Sequence, residues 1–218
     1  MYLASRVQAG RMLASQLAEK YRYENCAVVA LDDGGVMVGA QIAMRLHSVL
    51  TMLMMAEIKL PQEPTAIAGI TASGTVSYNS SFSKGEIDEL AGENFGYIEQ
   101  QKLLQMHDMN QLVGQGGTIS KELLKGHNVI VVTDGAKTGF SIDLAYEFLK
   151  PIKIEKLIFA VPLSSVEAVD RMHVLADDLY CLDVIEEYRD TEHYYDKQDV
   201  PDHKTVLETI EHIILNWK

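Results

Sequence analysis

The sequence predicts an α/β fold: a mainly parallel, twisted sheet flanked by helices. Three observations lead there. Short apolar runs at Cys26 to Leu31, Val49 to Met55, Val129 to Val132 and Leu157 to Val161 alternate with stretches of helical periodicity. The runs are apolar along their length, as in strands buried inside a layered domain. The 218 residues, 47% hydrophobic and 23% charged, suffice for one large core, and no Pro/Gly/Ser linker divides them into two.

From the N-terminus, Leu3 to Tyr21 places Val7, Met12, Leu13 and Leu17 at helical spacing between polar residues. The first strand, Cys26 to Leu31, is broken by Asp32-Asp33-Gly34-Gly35, and an Ala/Met/Ile-rich helix follows over Val36 to Leu46. Val49 to Met55 reads as a second buried strand. Pro61 and Pro64 mark a loop, followed by β-like runs at Ala66 to Ile70 and Thr75 to Tyr78. Ser83-Lys84-Gly85-Glu86 fits a capping box, predicting a helix from there to about His107. Gly114 to Gly117 reads as a mobile loop.

The strand at Val129 to Val132 ends in Thr133 and Asp134, turns through Gly135, Thr138 and Gly139, and enters a helix over Ile142 to Lys150, closed by Pro151. Leu157 to Val161 is the next strand. Ser164 to Glu167 matches a second capping box, opening a helix to about Leu175, and Leu179 to Leu182 is a short strand. A polar, tyrosine-rich stretch over Glu186 to His203 precedes a last amphipathic helix, Lys204 to Trp217, with Val206, Leu207, Ile210, Ile213, Ile214 and Trp217 on its apolar face.

A formal charge of −12 and the lack of any Lys/Arg cluster exclude the usual basis for nucleic-acid binding. Cys26 and Cys181, both in apolar contexts, read as buried free thiols. With no secretory leader evident, they point to a cytoplasmic protein. The longest apolar run, near Val49 to Ala56, is far short of the ~20 residues that span a bilayer.

A parallel sheet binds ligands at the carboxyl ends of its strands, and two turns lie there: Asp32 to Gly35 and Asp134 to Gly139. Small residues let a backbone close on a phosphate, and a helix N-terminus offers it unpaired amides and a favourable dipole. Taken alone, Asp32-Asp33-Gly34-Gly35 reads as an Asx-turn in which the glycines supply positive φ. His193 and His203, with Asp196 and Asp199, read as solvated surface with the composition of a metal cluster. Met52, Met54 and Met55 read as core filling. Tyr188, Tyr194 and Tyr195 suit stacking on a base, covering the cleft, packing in a hood or a dimer contact.

Asp134-Gly135-Ala136-Lys137-Thr138-Gly139-Phe140-Ser141 resembles the phosphoribosyl-diphosphate motif of type I phosphoribosyltransferases, in which two acids end a strand and Thr-Gly-x-Thr/Ser follows. Ala30-Leu31-Asp32-Asp33-Gly34-Gly35-Val36 is similar to that family's pyrophosphate loop, often Ala-Leu-Pro-Arg-Gly-Gly-Val. Arg6, Ala9, Gly10 and Arg11 resemble the Arg-x-x-Ala-Gly segment of one bacterial subfamily, and Phe159 to Pro162 with Asp178 to Leu182 sit where it has its last core strands.

The resemblance implies a single domain over 1–218, with hood elements from 1–22, 75–115 and 184–218. It implies that Asp134 binds ribose hydroxyls, that Gly135, Ala136, Lys137, Thr138, Gly139 and Ser141 cradle the 5-phosphate, and that Asp32, Asp33, Gly34 and Gly35 meet the pyrophosphate. Mg2+ is the implied cofactor, with Asp33 and Asp134 as candidate ligands. The implied partners are phosphoribosyl diphosphate or a nucleoside monophosphate, in a homo-oligomer.

Three departures fall in one cleft. Thr133 stands at the first acid of the pair, Asp33 at the arginine of the pyrophosphate loop, and Met55 and Ala56 at a basic pair, with Lys59 nearby. Carboxylates repel pyrophosphate, which is ordinarily met by Arg, Lys or Mg2+. The first expectation is therefore a binder of ribose 5-phosphate or a nucleotide, with transferase activity in question. An active Mg2+-dependent nucleobase phosphoribosyltransferase is the alternative. A ligand-free protein that associates through its terminal helices is a second alternative.

Overall fold

The computed structural model describes residues 2–61, 63, 65–113 and 121–215. The elements in order are α1 (Arg6–Tyr21), β1 (Cys26–Ala30), α2 (Asp33–Leu46), β2 (Val49–Met52), β3 (Met55–Ile58), β4 (Ala68–Thr71), β5 (Val76–Tyr78), α3 (Lys84–Glu93), α4 (Phe95–Val113), α5 (Lys121–Leu124), β6 (Asn128–Val132), α6 (Phe140–Leu149), β7 (Lys156–Ser165), α7 (Val166–Leu175), β8 (Asp178–Ile185) and α8 (His203–Leu215), with a 3-10 turn at Thr191–Tyr194 before α8.

Five strands form an all-parallel sheet in the order β2-β1-β6-β7-β8. The chain steps from β1 outward to β2 and later returns to the other side of β1 with β6. The β1/β6 boundary is therefore the switch point, and the crevice beyond its carboxyl end is where such sheets bind ligands. Asp32 follows β1 there, and Thr133 and Asp134 follow β6.

Strand side chains alternate between two cores. Val28, Ala30, Leu50, Ile130 and Val132 face Leu13, Leu17, Val38, Ile42, Val206 and Ile210 of α1, α2 and α8. Ala27, Val29, Val131 and Phe159 face Ile142, Ala145, Phe148 and Met172 of α6 and α7. Burial on both faces is why these strands read as unbroken apolar runs. A second sheet, β3-β4-β5, is antiparallel and packs Ile58, Ile67 and Ile70 against Ile98 and Met109 of α4.

The α/β expectation with a parallel sheet holds, while several boundaries move for physical reasons. The run at Val49 to Met55 is two strands. Leu53 donates to the Ala30 carbonyl at 2.8 Å as the chain leaves the main sheet, and Met55 opens β3 in the other. The helix expected over Ser83 to His107 is two. Ser83 and Glu86 do form the capping box, but Asn94 ends α3 by turning its side-chain amide onto the Leu90 carbonyl, 2.9 Å away. β7 runs past Val161 to Ser165 because Ala136, beyond the end of β6, pairs with Ser164. That pairing draws Ser164 into the sheet, so Ser165, one residue later than expected, caps α7 through the Ala168 amide.

Among the described residues no helix is long and apolar enough to cross a membrane. Cys26 is buried and Cys181 half-buried rather than fully enclosed, and burial pushes both thiols up to about 11. Pro64, the loop expected at Gly114 to Gly117 and Trp217 lie outside the described residues.

Candidate functional site

Asp32 and Asp33 open α2, but not by positive φ at the glycines, which the Asx-turn reading had required; among the described glycines only Gly74 and Gly126 have it. Small size is what Gly34 supplies. A Cβ there would lie 2.1 Å from Asp134 Oδ2, so only glycine lets α2 approach the end of β6 this closely. Asp32 is the N-cap of α2, with Oδ1 accepting from the Gly35 amide at 2.5 Å. Its Oδ2 accepts from the Thr133 hydroxyl at 2.5 Å. Burial, then the neighbouring charge of Asp134, push the Asp32 carboxyl up to about 7. A carboxylate at 133 would face Asp32 directly, so the threonine suits the aspartate across from it.

The loop after β6 is built differently. Ala136 is fixed to β7, donating to the Leu163 carbonyl and accepting from the Ser165 amide, each at 2.9 Å. Lys137 and Thr138 project into solvent, and Gly139 begins α6 with no side-chain cap. The first amides of α6 therefore lack the carboxylate that occupies the start of α2.

Asp134 is the surprise. Its Oδ2 accepts from Arg6 Nε at 2.6 Å, and the Arg6 side chain is 0% exposed. The same guanidinium reaches Glu192 and, at 3.4 Å, Asp199, and it lies over the Tyr195 ring, 4.4 Å from its centroid. Tyr195 Oη donates to the Asp134 carbonyl at 2.7 Å. Gly135 lies under Tyr188, whose hydroxyl would be 2.2 Å from a Cβ at that position. Burial raises the Asp134 carboxyl, and Arg6 opposes the rise. The tyrosine-rich stretch thus roofs the end of β6. Tyr194 and Tyr195 are buried against Leu3, Ala9 and Leu163 rather than open to a base.

A cavity of about 200 Å3 opens on the other side of Asp32, lined by Leu31, Asp32, Met55, Ala56, Glu57, Phe140, Ser141 and Leu144. Its acids are Asp32 and Glu57. Lys59, the basic residue close by in sequence, pairs with Glu57 at 2.9 Å, and both are exposed.

The candidate magnesium ligands are engaged by nitrogen donors: Asp33 by His203 Nδ1 at 2.8 Å and Asp134 by Arg6. Among the described residues no three His, Cys, Asp or Glu side chains gather as a metal would require. The residues with metal-cluster composition point to separate partners. His193 meets Tyr2, Asp199 meets Arg6 and His203 meets Asp33. These donor sets do not fit a divalent cation as they stand.

The structure brings Asp32, Thr133, Asp134 and the Gly135 to Ser141 loop to the switch point between β1 and β6. Sequence reasoning missed the capping role of Asp32 and the Arg6 network. The Asp-x-x-Gly spacing ahead of a helix signals the cap. The Arg-x-x-Ala-Gly resemblance singles out Arg6 but assigns it no role, and its partners lie 128, 186 and 193 residues away.

The profile of the phosphoribosyl transferase domain matches residues 2–196. The chain belongs to the phosphoribosyltransferase family. Two Mycobacterium tuberculosis proteins, from strains CDC 1551 / Oshkosh and H37Rv, carry the name "Putative phosphoribosyl transferase" and are each 26% identical over 178 residues. That match covers 81% of this chain but only 39% of theirs. TT1426 from Thermus thermophilus superposes with a TM-score of 0.72 at 24% identity, over 100% of this chain and 99% of its own. A hypothetical Neisseria gonorrhoeae protein solved with bound ppGpp superposes at 0.50 with 12% identity, over 95% of each chain. These two likenesses are likenesses of fold. The 2-1-6-7-8 parallel sheet of this phosphoribosyltransferase-family chain matches the expected type I core.

Proposed function

We propose that this phosphoribosyltransferase-family protein binds a ribose 5-phosphate group, free or within a nucleoside monophosphate, and favours it over phosphoribosyl diphosphate. One contrast carries the reading: α6 begins uncapped beneath the exposed Lys137 and Thr138, whereas α2 begins under the carboxylate of Asp32. The first start leaves its amides without a capping side chain, since the acid of its first turn, Asp143, is paired with Arg171 and Ser80. The second already holds a negative group where a pyrophosphate would seek amides. Asp32 and Glu57 line the adjoining cavity, and the nearby Lys59 is paired, so the leaving-group side offers repulsion where the reaction needs cationic support. The proposed binding draws on no metal ion.

Calorimetry tests it with ribose 5-phosphate, a nucleoside monophosphate, phosphoribosyl diphosphate and ppGpp as separate probes. The monophosphates are expected to bind at least as tightly as the diphosphate, with the same affinity after EDTA treatment, and Thr138→Val is expected to weaken them by about tenfold, the loss of one charge-assisted hydrogen bond. Release of pyrophosphate with a common nucleobase and Mg2+ would instead establish the transferase. Failure of every probe to bind would leave a ligand-free role.

A further inference from the structure

The proposed ligand carries a vicinal diol beside its phosphate, and a diol is best met by two fixed carboxylate oxygens. Only one carboxylate, Asp134, follows β6, and its Oδ2 is already held by a guanidinium with no exposure to solvent. The position before it is Thr133, which is 3% exposed and lies behind Asp32. Asp32, by contrast, lines the 200 Å3 cavity together with Ser141, the last residue of the phosphate loop. One open space therefore touches both Asp32 and the start of α6.

We infer that the acid absent from the end of β6 is supplied by Asp32 from the end of β1, making Asp32 the residue that selects a ribose over a 2-deoxyribose ligand. This rests on the proposed ribose 5-phosphate site and deepens it. Two hydrogen bonds hold the carboxylate: the Thr133 hydroxyl on Oδ2 and the Gly35 amide on Oδ1, each at 2.5 Å. A side chain held at both oxygens loses little further freedom on meeting a ligand, and each oxygen keeps a second lone pair for a hydroxyl. Thr133 becomes a positioning residue: it donates its proton to Asp32 and leaves the cleft to it. The two departures at 32 and 133 then make physical sense together. An acid at 133 beside Asp32 would set two carboxylates against one another, whereas a hydroxyl beside Asp32 binds it.

The experiment compares ribose 5-phosphate with 2-deoxyribose 5-phosphate by calorimetry in the wild-type chain, Asp32→Asn, Asp32→Ser and Thr133→Val. Asn and Ser both retain a helix-capping oxygen, so loss of the fold does not confound the result; thermal melts confirm it. The wild type is expected to prefer the ribose ligand by about tenfold or more, the worth of one charge-assisted hydrogen bond. The preference is expected to fall to about threefold or less in Asp32→Asn, where a neutral acceptor remains, and to vanish in Asp32→Ser. Thr133→Val, which frees the carboxylate without removing it, is expected to fall between. A preference that survives in both Asp32 variants overturns the inference and leaves the proposed function standing. Equal wild-type affinity for the two sugars does the same. Binding of neither sugar overturns both.

Discussion

Arg6→Met removes the one cation that serves three carboxylates, and the cost is set by which of them can return to water. Glu192 is 48% exposed and Asp199 21%, so both rehydrate at modest cost. Asp134 is 13% exposed and sits under Tyr195 and α2, so it is left charged with little solvent. An unpaired buried carboxylate costs about 3–5 kcal/mol, against ~0–1 kcal/mol for a surface pair. We expect the variant to lose about 3–5 kcal/mol at pH 8 in urea unfolding. The pH dependence has a definite sign. Asp134 is already raised above its ordinary 3.8 by burial, and Arg6 opposes that rise. Without Arg6 the folded carboxyl moves higher, so the stability of the variant falls as pH climbs from about 4 through the new folded value. At pH 5 Asp134 can take a proton, and the deficit should shrink by about 1 kcal/mol or more, since a tenfold change in proton affinity is worth ~1.4 kcal/mol. Arg6→Met with Asp134→Asn should recover part of the loss at pH 8. A single variant within about 1 kcal/mol of wild type at pH 8, or a deficit equal at both pH values, would refute the assignment of Arg6 as the counter-charge to a buried Asp134.

Asp32→Asn keeps the cap of α2 and removes a carboxyl pushed up to about 7. Ionising such a group costs folded stability between about pH 4 and 7, so the variant should gain on the wild type over that range by roughly 2 kcal/mol, allowing for the solvent that Asp32 meets through the cavity. A stability difference that stays constant from pH 4 to about 8 would contradict the cause given; Asp134 and Asp33 add to the rise, and the hydrogen bonds from Thr133 and Gly35 oppose it. Gly34→Ala sets a methyl 2.1 Å from Asp134 Oδ2 and should cost about 2 kcal/mol or more, whereas Gly85→Ala in α3, with nothing within 4 Å, should be neutral or slightly stabilising. Equal melting temperatures for the two alanine variants would remove the close-approach explanation. Tyr195→Phe leaves the Asp134 carbonyl without its donor and should lower stability by about 1–3 kcal/mol in urea titration, with no change if that hydroxyl is idle.

The central sheet was legible because it is buried on both faces, so β1, β6 and β7 announce themselves as apolar runs with turn residues behind them. The switch point was legible for the same reason. The role of the residues just past each strand was not. Asp32 reads as a turn residue or a ligand until the path of α2 is known, and it is a cap because the helix starts at Asp33 rather than Val36. The second sheet was blurred because its strands are three or four residues long and the first is continuous in sequence with β2. Arg6 stood out by resemblance, but its role was hidden in another way: an arginine on an amphipathic helix is ordinarily solvated, and its burial depends on carboxylates delivered by segments more than a hundred residues downstream.

Those separations have a temporal consequence. Arg6 leaves the ribosome before its partners, and Asp199 follows it by 193 residues. At ~5–20 residues per second, a ribosome takes roughly 10–40 s to deliver that last partner. During that interval β1 and α2 can pack, yet Arg6 waits 128 residues for Asp134 and 186 for Glu192, and Gly135 waits for the roof of Tyr188. The end of β6 is thus among the last places to become native, and a nascent chain halted before residue 188 would leave Gly135 uncovered.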